Sequence, residues 1–139
     1  MANTNQKYVR DLTVFPHPFS AAYWKMAAKE VTDLRTLICR CLLELGFSTK
    51  HDGFQYLIDA VAMMTQDVTL PVTKIIYPSI ARIHNCSPEN VERSIRTAME
   101  YAWDHGDRTL WCRYFPDAGQ RPTNAVFISR ISEALLLKE

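Results

Sequence analysis

Glu92, Arg93 and Arg96 stand close together inside the stretch SPENVERSIRTAMEYAWDHGD, residues 87 to 107. Arginine can donate two parallel hydrogen bonds to guanine O6 and N7, and glutamate can accept from cytosine N4. These side chains therefore suit the reading of a G·C-containing DNA site. A helix has to hold them out. Ser87 is a good N-cap, Pro88 fits the first helical position, and Glu89 favours the positive end of the helix dipole. Turning about 100° per residue, Val91, Ile95, Ala98, Met99 and Ala102 fall within one apolar stripe. Glu89, Arg93, Arg96, Thr97, Glu100 and Asp104 lie opposite, with Glu92 and Trp103 near one boundary. Gly106 is expected to give the helix a left-handed exit. The same pattern also fits a plain solvated face laced with Glu89–Arg93, Glu92–Arg96 and Arg96–Glu100 pairs.

What precedes the stretch favours the DNA-facing reading. Asn85 and Cys86 make a very short connection to an earlier apolar pattern at Val72, Ile75, Ile76, Ile80 and Ile83. Two helices joined so tightly must turn sharply, at roughly 90–120° in a helix-turn-helix. There the first half of the second helix projects toward the major groove. Glu92, Arg93 and Arg96 sit in that half.

The rest of the chain supplies the body. Pro71 suits a first helical turn, and Pro78 predicts a kink or break near Tyr77. Residues 1 to 18 read as a polar tail ending in the extended Phe15-Pro16-His17-Pro18. Ser20 can cap a helix with Tyr23, Trp24 and Met26 to pack. Leu34, Leu37, Ile38, Cys41, Leu42 and Leu45 repeat at helical spacing until Gly46, which leaves residues 20 to 45 as one helix or two. Tyr56, Leu57, Ala60, Val61 and Met64 mark another helix, and Phe127, Ile128, Ile131, Leu135 and Leu136 a last one, capped by Thr123. Between these, DRTLWCRYFPDAGQRP reads as irregular. No strand-like alternation persists, so the expected fold is all-α, with about six helices containing a helix-turn-helix.

Composition fits one globular domain: 139 residues, 47% apolar, 22% charged and a net charge of +1. No apolar run is long enough for a membrane span, and the N-terminus lacks the apolar core of a signal peptide. A cytoplasmic protein without a membrane partner is expected, associated with the nucleoid when bound. Cys39, Cys41, Cys86 and Cys112 form no CxxC pair, and His17, His51, His84 and His105 are scattered singly. Reduced, mostly buried thiols are expected, with no metal, no cofactor and no catalytic residues. Trp103 and Trp111 are expected to pack the core. Lys74, Arg82, Lys50, Arg121 and Lys25 are candidates for phosphate contact, which adds affinity without sequence information. Thr73, near its helix start, adds a hydroxyl and backbone donors.

Three runs, VTKIIYPSIARIHN (72 to 85), VERSIRTAMEYAW (91 to 103) and RPTNAVFI (121 to 128), carry a resemblance. From about Val31 to Leu137 the chain resembles the DNA-binding effector domain of the sporulation master response regulator of endospore-forming bacteria. The resemblance implies a six-helix fold and transcriptional control by binding double-stranded DNA at a short promoter box, often as adjacent protomers on tandem copies. It makes Glu92, Arg93 and Arg96 the base readers, and it favours Lys74 and Arg121 among the phosphate contacts. Two positions depart from the pattern. Thr97 stands where the family often has histidine, leaving a hydroxyl for phosphate or base. Val126 stands where an acidic residue often completes the last helix's capping box.

The resemblance divides the chain into residues 1–30, a tail with a short extra helical segment, and an effector domain over 31–139. Familiar members carry an N-terminal phosphoacceptor receiver, for which these unmatched residues leave no room. The chain is then a stand-alone homologue or part of a longer protein, and abundance, a partner or self-association would replace phosphorylation as the control. The alternative function is a modulator that contacts RNA polymerase, or pairs through its last helix with a full-length regulator, and binds DNA weakly or not at all.

Overall fold

The computed structural model describes the backbone of residues 21–117 and 119–137, and the side chains of Lys29 and of the residues from Asp33 onward within that span. The expected tail, the Ser20 cap and the packing of Tyr23, Trp24 and Met26 lie outside the described residues. Among the described residues six α-helices follow one another: α1 (Ala21–Glu44), α2 (Asp52–Gln66), α3 (Tyr77–His84), α4 (Pro88–His105), α5 (Arg108–Tyr114) and α6 (Asn124–Leu137). There is no strand among the described residues. The fold is all-α and contains the helix-turn-helix, formed by α3 and α4.

α1 is one helix, not two, and it runs without interruption past residue 30. Gly46 ends it with a φ of +99°, in the left-handed region that glycine enters without penalty. Gly106 works differently from expectation. Its φ of −83° and ψ of 171° are extended, so no left-handed exit is made there. It is small because the ends of α1 and α4 press together: a Cβ on Gly106 would lie 2.2 Å from the Leu45 carbonyl oxygen and 2.7 Å from that of Ala102. The indole of Trp111 donates to the same Leu45 carbonyl at 2.9 Å, pairing an orphan acceptor at the helix end.

α2 is the central support, lying against α1, α4 and α6. Gly53 brings it onto the backbone of α4, since a Cβ there would sit 2.2 Å from the Ser94 carbonyl oxygen. Phe54, Leu57 and Val61 of α2 join Ile76 and Ile80, the α4 stripe, and Phe127, Ile128 and Ile131 of α6 in one core. Trp111, Phe47, Phe115 and Phe127 close its lower end with ring centroids 5.4–6.1 Å apart. Trp103 meets Trp111 edge-on at 5.2 Å and carries the Arg108 guanidinium 3.7 Å over its ring.

The irregularity expected near Tyr77 is a change of helix type: a π-helical turn over Val72–Ile76, in which the Ile75 and Ile76 N–H groups share the Pro71 carbonyl at 3.0 and 3.2 Å, passes into α3 at Tyr77. Pro78 itself sits in the first turn of α3, where a missing donor costs nothing. One local reading is corrected: the stretch after Gly106 is not wholly irregular. Asp107 accepts from the Thr109 N–H at 2.8 Å and starts the short helix α5, which brings Trp111 into the core.

Candidate nucleic-acid interface

Only Asn85, Cys86 and Ser87 separate α3 from α4. Asn85 adopts φ 57° and ψ 51°, a left-handed conformation that asparagine tolerates, and the Cys86 N–H closes back on the Ala81 carbonyl at 2.9 Å. Ser87 Oγ then accepts from the Asn90 N–H at 3.0 Å and starts α4. The turn is clamped from behind. The Asp59 carboxylate accepts from Arg35 of α1 at 2.8 Å and meets His84 Nε2, at the end of α3, at 2.7 Å. The Tyr56 ring packs edge-on against His84, and its hydroxyl lies 3.8 Å from Cys86 Sγ. The angle at which α4 leaves the body is thus fixed by three helices rather than by the turn alone.

On its inner side α4 buries Val91, Ile95, Ala98, Met99 and Ala102 completely. Full burial of a side chain such as Val91, Ile95 or Met99 stabilises by about 1.5–3 kcal/mol, far more than any exposed charge pair contributes. The helix is therefore held by its apolar stripe, and its outer side is free for other work.

That outer side carries the predicted readers. Arg93 is exposed and makes no ion pair or hydrogen bond through its side chain among the described residues. Glu92 and Arg96 are half exposed and bound to one another, Arg96 Nη1 donating to both carboxylate oxygens at 2.7 and 2.6 Å. The other two pairs that helical spacing allowed, Glu89–Arg93 and Arg96–Glu100, do not form. Thr97 is exposed one position beyond Arg96, and Thr73 and Lys74 are exposed on the π turn that leads into α3. Arg121 is half-buried and lies 3.6 Å from the Glu100 carboxylate, so it is held against the later turns of α4.

Two residues at this face were not among the predicted ones. Asn124, at the start of α6, is buried and its Nδ2 donates to the main-chain carbonyl of Glu92 at 3.1 Å. Tyr77, at the start of α3, is buried nearby. Burial pushes its phenol above the ordinary value; the Asn124 amide and the Arg96 charge pull against that, while the Glu92 charge adds to it. Both lie in runs already noted, YPSIARIHN and RPTNAVFI, but nothing in residue type or spacing tells which neighbour a buried asparagine will reach.

None of the four cysteines forms a disulfide; Cys41 is buried, Cys39 and Cys86 are half-buried, and Cys112 is exposed. No group of three or more His, Cys, Asp or Glu side chains arranged for a metal ion occurs among the described residues. None of the described helices is long and apolar enough to cross a membrane.

A compact all-α body that presents a clamped, well-capped second helix with a charged outer side is a helix-turn-helix domain of the DNA-binding class. Residues 38–135 match the model of a family described as the sporulation initiation factor Spo0A C terminal, and the chain belongs to that family. It is a DNA-binding effector domain of a sporulation regulator, and its family is not one of enzymes. The match begins within α1 and ends within α6, so the whole of the helix-turn-helix falls inside it, while Arg35 of the clamp lies just ahead of it.

Proposed function

We propose that the domain is a sequence-specific transcriptional regulator that lays the first half of α4 in the major groove and reads a short promoter box. Glu92, Arg93 and Arg96 are its base readers. The observation that carries this reading is the division of α4 into a fully buried stripe and an outer side where Arg93, unpaired among the described residues, stands beside the Glu92–Arg96 pair. Arg96 uses only Nη1 on Glu92, which leaves the N–H groups of Nε and Nη2 for the bidentate edge of guanine. Glu92 serves as a brace for Arg96 or turns to cytosine N4.

Lys74, Thr73 and Thr97 add phosphate contacts beside the groove, and Arg121 contributes at the periphery after leaving Glu100. Their exposure, and the placing of Thr73 and Lys74 at the entry to α3, support this sorting. The effector domain spans residues 31–139, and nothing in this mechanism draws on a phosphorylated receiver. Adjacent copies on tandem boxes, and contact with RNA polymerase, are the partners this reading allows. Arg93→Ala tests it: weakened binding to the box with unchanged binding to a scrambled duplex supports base reading, and equal loss on both contradicts it.

A further inference from the structure

The run RPTNAVFI holds an asparagine that its own helix does not use. α6 is already capped by Thr123, whose Oγ1 accepts from the Val126 N–H at 3.3 Å. Asn124 instead reaches across to α4, where its Nδ2 donates to the Glu92 carbonyl at 3.1 Å. It is only 8% exposed, so its amide has been taken out of water for that bond. The carbonyl it grips belongs to the residue that pairs with Arg96. One turn on, the Arg96 N–H is the in-helix partner expected for the same carbonyl. Tyr77, 5% exposed, sets its hydroxyl beside the Asn124 amide and within the fields of Glu92 and Arg96. α6 thus bonds directly to one peptide unit of α4, beneath the Glu92–Arg96 pair, with Tyr77 of α3 beside the bonding amide.

We infer that Asn124 is a positioning residue for base reading. By fixing the Glu92 peptide against α6, it sets the azimuth of α4 and with it the direction in which the paired Arg96 guanidinium is presented. This rests on the proposed reading of DNA by α4, and it makes the last helix part of the specificity device rather than only part of the core. Rotation of α4 about its axis leaves its charges near DNA but displaces the bidentate edge, so losing the bond lowers discrimination more than affinity.

The test uses the full chain with Asn124→Ala and Tyr77→Phe. Three quantities are read: the ratio of affinities for box and scrambled duplexes, the salt slope on the scrambled duplex, and solvent exchange of the Arg96 guanidinium protons by NMR. For Asn124→Ala the ratio is expected to fall about five- to tenfold, the size of one hydrogen bond, with the salt slope unchanged and Arg96 exchange faster. Tyr77→Phe keeps the ring in the core and should move the same quantities less, and it decides the matter if the alanine variant does not fold. An unchanged ratio with unchanged Arg96 exchange overturns the inference, as does an equal loss on both duplexes. A wild-type chain that does not discriminate at all defeats the DNA reading itself. The Arg96 exchange rates then still report whether Asn124 positions the pair.

Discussion

Glu92 and Arg96 hold each other one turn apart on α4, with both carboxylate oxygens accepting from a single guanidinium nitrogen at 2.7 and 2.6 Å. Their side chains are 39% and 44% exposed, so solvent screens the pair and it contributes only about 0.3–0.5 kcal/mol to the fold. A contact so cheap to open is poor as a structural staple and compatible with the proposed transfer of the Arg96 donors to a base. Glu92→Gln is expected to shift the unfolding free energy by less than about 0.5 kcal/mol, read by urea denaturation. It should nevertheless change which base pair is preferred at the position under Arg96. A variant that loses stability but keeps its base preference would make the pair structural.

Arg93 and Lys74 separate reading from anchoring. Arg93→Ala is expected to cost about 1–3 kcal/mol on the promoter box and to relax preference at one base pair. Lys74→Ala should weaken binding to every sequence alike and reduce the salt slope by about 1. Titrations of both variants across a salt series decide it, and identical behaviour would undo the sorting.

Gly53 sets how closely α2 supports α4. Alanine is favoured over glycine inside a helix by about 1 kcal/mol. Here, however, the added Cβ would lie 2.2 Å from the Ser94 carbonyl oxygen and 3.0 Å from the Ala98 Cβ, a backbone contact that must be pushed apart. Overpacking of this kind costs about 1–3 kcal/mol, so Gly53→Ala should lower stability and displace α4 as well. Gly119→Ala, with no atom within 4 Å of the new Cβ, should leave the thermal midpoint nearly unmoved. Calorimetry on the two variants checks both.

Tyr114 gives the fold an alkaline limit. Burial, and then the Cys41 thiol whose sulfur is 3.6 Å from its hydroxyl, push its phenol up to about 12 from the ordinary value of 10. The folded state therefore keeps a proton that the unfolded chain has begun to lose at pH 10. Stability from this group is full below pH 10 and is lost as pH rises toward about 12. In Tyr114→Phe that part of the alkaline decline should vanish, as measured by denaturation midpoints between these limits.

The helix-turn-helix was legible because it is locally encoded. Ser87, Pro88 and the apolar stripe from Val91 to Ala102 each specify α4 without outside help, and the structure uses all of them as the sequence predicts. What the sequence hid depends on distant partners. Gly106 looks like a helix terminator, yet its smallness answers to Leu45, far back in the chain. Pro78 signals an irregularity near Tyr77, yet its position does not tell that this takes the form of a π turn just upstream. The short helix α5 escaped notice because Trp111 and Leu110 make too few turns to display a period. At the interface, the types and spacing of Glu92, Arg93 and Arg96 could be read directly. Helical spacing offered three ion pairs and could not choose Glu92–Arg96 among them, nor reveal that Asn124 holds the peptide beneath it.

Sequence reading by α4 is what the proposed function stands on. Titration of the chain against a labelled duplex carrying the family's promoter box, and against a scrambled duplex of the same composition, at two salt concentrations, tests it most directly. Binding to the box is expected to be tighter by about 10³-fold, the lower end for specific readers, with the preference surviving at the higher salt. Equal affinity for the two duplexes, or no binding at moderate salt, would contradict it.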